Sequence, residues 1–131
     1  MTHAVIFEKS GSHEIVGFQT EGHAGYADAG SDIVCAAISV LVINTINSVE
    51  QFTDSDCTVT QDEENAGIYF RVNSSKNPKE LQVLLQSLVL GLSGVAEGNA
   101  DYLSITFKEV YRSIWCTNTF HWSIKIIKSF I

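Results

Sequence analysis

The sequence has little of what marks several common protein classes. It has one proline and nine glycines in 131 residues, which excludes a collagen-like or low-complexity chain. Its three cysteines are odd in number and follow no framework spacing, which argues against a disulfide-stapled secreted domain. It contains no CxxC, HExxH, P-loop or dinucleotide fingerprint. We therefore predict no structural zinc, no nucleotide and no other cofactor.

Basic side chains and long apolar runs are also scarce. Eight basic residues stand against fifteen acidic ones, for a net charge of −7. Because Lys and Arg supply most of the affinity for phosphates, this balance argues against direct nucleic-acid binding and favours a basic partner. Residues 33–43, the longest strongly apolar stretch, reach about half the length needed to cross a bilayer. The first residues, MTHAVIFEKSGS, lack the basic region of a signal peptide. The prediction is a cytoplasmic protein with no membrane partner.

The charge is unevenly distributed along the chain. Residues 111–131 hold three basic side chains, no acidic one and both tryptophans, whereas residues 1–110 hold five basic and fifteen acidic side chains. Such a break in composition predicts a boundary, with a domain over 1–110 and an atypical C-terminal tail over 111–131. The tail is either an extra strand that covers a sheet edge or bridges a dimer, or sequence introduced by a frameshift or by cloning. The second interpretation is favoured.

The remaining pattern predicts one α+β domain. With 45% hydrophobic residues, the chain is long enough to bury a sizeable core and is not disordered. Alternation of apolar and polar residues predicts strands over residues 3–8, 14–20, 57–61, 67–73 and 101–109. Capping and periodicity predict a central buried helix from Ser31-Asp32 to about Phe52, and an amphipathic helix from Asn77-Pro78 to Gly98. The order ββαββαβ indicates two layers, a mainly antiparallel sheet with two helices packed on it.

The segment GHAGYADAGSDIVCAA, residues 22–37, places His23 and Cys35 twelve residues apart across a glycine-rich loop. Cys35 is predicted to lie in the first turn of a helix, where free N–H groups favour a thiolate. A helix end supplies about 1 kcal/mol. Making a thiol of ordinary pKa mostly ionised at pH 7 takes about 3.4 kcal/mol. A second contributor is needed, and an imidazolium at His23 would provide it for nucleophilic attack on a carbonyl.

Simpler interpretations of the same residues stay open. A cysteine in an apolar run is more often a small core residue, and a histidine near a strand end is usually only exposed. Asp32 either orients His23 or caps the helix. Capping is favoured, because a carboxylate beside a thiolate would oppose it. Ser39, one turn after Cys35, either hydrogen-bonds near the site or bonds back to a helix carbonyl.

The same segment resembles the bacterial ribosomal-processing cysteine proteases, the Prp family. Their signature G-H-A-x(n)-G-x-D-I/V-V-C-A-A/G-x-S is matched by Gly22, His23, Ala24, Gly30, Asp32, Ile33, Val34, Cys35, Ala36, Ala37 and Ser39. The resemblance extends to the order of elements over residues 1–110.

The resemblance implies a cysteine endopeptidase with a Cys-His dyad and no metal. Cys35 would be the nucleophile, and His23 the base and then the acid. The substrate would be a basic ribosomal protein of the large subunit, of the L-twenty-seven type, whose N-terminal extension is cut after two phenylalanines. The resemblance also implies a homodimer and a loop, with Gly25 and Gly30, that closes over the substrate. Tyr26 is a candidate for contact with the substrate, because it belongs to that loop.

Two other functions compete with this hypothesis. The acidic body would also suit a non-catalytic factor that binds a basic ribosomal protein or helps its assembly. The same dyad could instead serve a thioesterase or amidase acting on a small substrate.

Overall fold

The computed structural model describes residues 1–22, 29–64 and 67–110, and in α1 it describes side chains from Ile33 onward. These residues form five strands and two helices in the predicted order ββαββαβ. The strands are β1 Thr2–Lys9, β2 Ile15–Glu21, β3 Ser55–Asp62, β4 Gly67–Ser75 and β5 Leu103–Val110. The helices are α1 Ala29–Phe52 and α2 Pro78–Glu97.

The five strands form one mixed sheet in the order β3-β4-β2-β1-β5. β1 pairs with β2 antiparallel and with β5 parallel, and the other pairs are antiparallel. The long return from β4 to β5 runs through α2, as a parallel pair requires. The prediction of a two-layer α+β domain with a mainly antiparallel sheet is confirmed.

Both helices contribute to the core over one face of the sheet. Alternate positions of the central strands, among them Ile6, Phe18 and Phe70, are almost fully buried. Phe18 and Phe70 lie on paired strands and stack with their ring centroids 5.0 Å apart. The helical side of this core consists of apolar residues spaced by three, four or seven positions: Val34, Ile38, Val42 and Val49 of α1, and Leu81, Leu85, Leu88 and Leu92 of α2. The spacing in α2 is the one that its amphipathic pattern predicted.

α1 differs from the prediction of a central buried helix. Its inner residues pack in the core, but Ile33 and Val40 are 69% and 67% exposed, and Ile43 is also exposed. In a two-layer domain a helix has one side against the sheet and its neighbouring helix, so its outer side faces away from the core. The apolar residues of α1 therefore lie on two different surfaces, one packed in the core and one exposed.

The apolar part of α1 is longer than the stretch of residues 33–43 that the sequence pattern predicted to be too short to cross a membrane. Ile33–Phe52 has a mean hydropathy of 1.8 and is long and apolar enough, by length and composition, to cross a membrane. The second half of this segment is compatible with this criterion of length and composition, because its polar residues are mostly uncharged. The core helix of a soluble protein satisfies the same criterion, and the inner side of α1 belongs to the core of this domain.

The core predicts a sharp contrast between two leucines of α2. Leu85 is completely buried, whereas Leu90 is 75% exposed. We expect Leu85→Ala to lower the free energy of unfolding by about 2–5 kcal/mol, because it removes buried methyl groups and leaves a cavity. Leu90→Ala serves as the control and should change it by less than about 0.5 kcal/mol. Urea unfolding followed by circular dichroism measures both values. Equal losses in the two variants would contradict the packing described here.

Candidate active site

Cys35 lies on α1 next to the first residue of β1. It is partly exposed, and its Sγ lies 3.7 Å from the Thr2 Oγ1, within hydrogen-bonding distance for sulfur. Thr2 itself is only 5% exposed. Strand β1 is held at this end by the Thr2 N–H, which donates to the Tyr102 carbonyl at 2.9 Å. The thiol therefore stands at the edge of the core with a fixed hydroxyl beside it.

The helix that carries Cys35 begins earlier than predicted. α1 starts at Ala29, so Ser31 and Asp32 are helical residues of its first turn, and the prediction that they begin the helix as N-caps is wrong. Gly30, predicted to lie in the loop, is the second residue of α1. Hydroxyl and acidic residues are tolerated there because the first four N–H groups of a helix have no partner within it.

This earlier start moves Cys35 into the second turn of α1. The first turn of the helix comprises residues 29–32, and the effect of a helix end fades within that turn. The prediction that Cys35 lies in the first turn of the helix is therefore wrong.

Gly22 brings the start of the predicted loop to the same place. It follows β2 with φ of +112°, a conformation that favours glycine. A Cβ at this position would lie 2.5 Å from the Met1 carbonyl oxygen and 3.3 Å from the Thr2 Cα. Since Thr2 also contacts Cys35, the structure brings Gly22 and Cys35 to the same end of β1.

The remaining predicted site residues are distributed as follows. Ser39 is exposed on α1, one turn after Cys35. His23, Gly25 and Tyr26 lie outside the described residues, as does the side chain of Asp32. Their predicted roles stay predictions.

Cys57 on β3 lies in a different environment from Cys35. It is half-buried and packs against the hydrophobic cluster. Burial, together with smaller contributions from the carboxylates of Asp56 and Glu50, raises the pKa of the Cys57 thiol to about 11. Cys57 is therefore a protonated, unreactive thiol at neutral pH.

Within the described ranges, no three His, Cys, Asp or Glu side chains lie close enough to hold a metal ion. The chemistry available at this end of β1 is that of a thiol, a neighbouring hydroxyl and a glycine-dependent turn.

Sequence reasoning missed Thr2. Its position in β1 does carry a signal, because Thr2, Ala4 and Ile6 alternate on the face that the helices cover. Alternation predicts that Thr2 points toward the helical layer. It does not predict which helical residue it meets, since that depends on how α1 lies on the sheet.

Known proteins of one family are similar to this chain over most of its length. The family model described as cysteine protease Prp matches residues 1–104. The ribosomal processing cysteine protease Prp of Bacillus subtilis is 27% identical over 100 residues, which cover 72% of this chain and 89% of that protein.

Solved structures agree in fold. The crystal structure of the ribosomal processing protease Prp from Staphylococcus aureus in complex with a substrate peptide superposes with a TM-score of 0.75 at 21% identity, covering 82% of this chain and all of that one. The SMU.848 protein of Streptococcus mutans superposes with a TM-score of 0.72 at 27% identity, covering 84% and 96% of the two chains. These similarities confirm the strand and helix order.

The close approach at Gly22 predicts that a substitution there lowers the free energy of unfolding by more than its positive φ alone would. Gly11 provides the control, because it also has positive φ, +88°, but has no atom within 4 Å of the Cβ position. We expect Gly11→Ala to cost about 1–2 kcal/mol, the penalty of a left-handed conformation. Gly22→Ala should cost more, because the Met1 backbone must also move. Equal losses in urea unfolding would show that this contact does not constrain the site.

Proposed function

The chain belongs to the family of the cysteine protease Prp and is a cysteine protease, and on this premise we propose that it removes the N-terminal extension of a large-subunit ribosomal protein of the L-twenty-seven type. The observation that carries the proposal is the match of the family over residues 1–104, which includes the complete segment from Gly22 to Ser39. The names of its relatives support a ribosomal substrate, and the Staphylococcus aureus structure with a substrate peptide supports a peptide as the molecule bound.

We propose a dyad of Cys35 and His23 for the reaction. The Cys35 thiolate attacks the carbonyl carbon of the scissile bond, and the electron pair of the C–N bond leaves with the amine. His23 donates the proton that the amine takes up. Water then attacks the thioester, His23 accepts its proton, and the carboxylate product leaves as the thiolate is restored. The position of Gly22 against Met1 and Thr2 supports this pairing, because it starts the segment with His23 next to the residue that contacts Cys35.

Charge supports a basic substrate. Residues 1–110 carry five basic and fifteen acidic side chains, so the part of the chain that matches the family is strongly negative. A negative surface raises the association rate of a positively charged protein and disfavours acidic ones. We further propose that residues 1–110 form the protease domain and that the enzyme acts in the cytoplasm. Gly25 and Tyr26 would meet the substrate on the loop.

The dyad is tested by cleavage of a peptide that carries the ribosomal extension with its two phenylalanines. The parent enzyme should cut after the second phenylalanine, and Cys35→Ser and His23→Ala should each lower kcat at least about a thousandfold. Mass spectrometry of the products measures the site and the rate. Cys57→Ser is the matched control and should cut like the parent, because burial holds that thiol protonated.

Two results would contradict these assignments. Cleavage by Cys35→Ser or His23→Ala at the parent's rate would remove that residue from the dyad. Binding of precursor and processed protein with equal affinity and without any product would favour the binding-factor alternative over this substrate. Faster turnover of small thioesters than of the peptide would favour a thioesterase.

We also propose that the protein is a homodimer that uses the outer face of the helical layer. A shallow apolar groove of about 600 Å³ runs between α1 and α2 and is lined by Ala36, Ala37, Val40, Leu41, Gly91, Gly94 and Val95. Val40 is mostly exposed and lies in this groove. Contiguous apolar surface of this kind is typical of an interface. A second copy suits it, because a two-fold axis lets the same helical face pair with itself, and the glycines of α2 allow close approach.

The dimer predicts a specific effect of charge in the groove. We expect the parent to sediment with twice the mass of its 14.4-kDa chain, and Val40→Asp to sediment as a monomer, because the carboxylate would be buried without a partner. Phe52→Asp is the control: Phe52 is on the same helix and is more exposed, but it does not line the groove. A monomeric parent, or a dimeric Val40→Asp variant, would contradict this interface.

A further inference from the structure

Thr2 is a buried polar residue whose side chain meets the thiol of Cys35. It is 5% exposed, and its Oγ1 lies 3.7 Å from the Cys35 Sγ. Buried hydroxyls are normally hydrogen-bonded, and among the residues that the structure describes the Thr2 hydroxyl has this contact with Cys35. Two other threonines behave differently: the hydroxyls of Thr45 in α1 and Thr53 just after its end donate to the carbonyls of Leu41 and Val49, four residues earlier.

The backbone holds Thr2 in a fixed orientation. Its N–H donates to the Tyr102 carbonyl, and it pairs with Leu103 at the start of β5. Threonine is branched at Cβ, which restricts rotation of its side chain in a strand. The hydroxyl is therefore held rigidly against the helix rather than reaching it from a flexible surface segment.

Cys35 lies too far along α1 to meet the free N–H groups at the start of the helix. Because α1 begins at Ala29, Cys35 lies in the second turn, beyond the unpartnered N–H groups of the helix. A hydrogen bond donated to a thiolate favours the charged form and fixes the direction of the sulfur lone pairs. At Cys57, by contrast, burial and the carboxylates of Asp56 and Glu50 all raise the pKa and favour the protonated thiol.

We infer that Thr2 is a positioning residue for the reaction, which rests on the proposed role of Cys35 as nucleophile. The Thr2 hydroxyl donates a hydrogen bond to the Cys35 thiolate and holds Sγ at the end of β1 for attack on the substrate carbonyl. The hydroxyl acts only as a donor and loses no proton during the reaction. This assignment extends the proposed dyad to a residue of the first strand.

A pair of substitutions tests the hydroxyl separately from the shape of the side chain. Thr2→Val keeps the branched shape and removes the donor, whereas Thr2→Ser keeps the donor. We expect Thr2→Val to lower kcat for the ribosomal peptide about tenfold with KM unchanged, and Thr2→Ser to stay within about twofold of the parent. A loss of packing alone would affect Thr2→Ser more than Thr2→Val, because serine lacks the methyl group.

Alkylation of Cys35 provides a readout that needs no substrate. In a chain carrying Cys57→Ser and Cys116→Ser, the rate of reaction with iodoacetamide at pH 6 reports the thiolate at Cys35. A tenfold smaller thiolate population, partly offset by its higher nucleophilicity, predicts an about threefold slower reaction in Thr2→Val. Thr2→Ser should react like the parent. Thermal unfolding of each variant checks that the fold is intact.

The outcomes separate this inference from the proposed function. Equal alkylation rates in the parent and in a folded Thr2→Val variant would overturn the role of Thr2, as would a Thr2→Ser variant as slow as Thr2→Val. If the parent fails to cut the ribosomal peptide but Thr2→Val still slows alkylation, the hydrogen bond stands and the proposed substrate is wrong.

Discussion

The placement of β1 between β2 and β5 is the constraint on which the candidate site depends. Its parallel pairing with β5 and antiparallel pairing with β2 hold both edges of its first residues. Thr2 therefore has a fixed position, with its hydroxyl at Cys35 and its backbone against Gly22. A strand paired on both sides cannot shift by one residue without turning its apolar side chains away from the core. The site inherits its rigidity from the sheet.

The two described cysteines show how position decides the chemistry of one residue type. Cys57 lies on β3 against the core, where burial and nearby carboxylates raise its pKa to about 11. Cys35 lies on α1, partly exposed, beside a hydroxyl. A thiol that must act as a nucleophile needs access for the substrate and a neighbour that can hydrogen-bond to it. Of these two thiols, Cys35 meets both requirements.

The helical layer has two surfaces with different roles. The inner residues of α1 and α2 complete the core, and the outer residues of α1 form an apolar surface that the sequence pattern alone assigned to the interior. The apolar residues of α1 lie all round the helix, so periodicity cannot distinguish a helix buried on all sides from one with a core on one side and exposed apolar residues on the other. Only the layering of the domain makes this distinction.

The sequence by itself determined the order of the elements, because strand alternation, the leucine spacing of α2 and the Asn77-Pro78 start are local signals. It also determined the family, since the residues from Gly22 to Ser39 form a specific signature. Tertiary structure decided where α1 begins, which of its faces is buried and that Thr2 meets Cys35. The last contact joins residues thirty-three positions apart. Such a contact depends on how a helix lies across a sheet, a geometry set by packing of the whole core and by no local pattern.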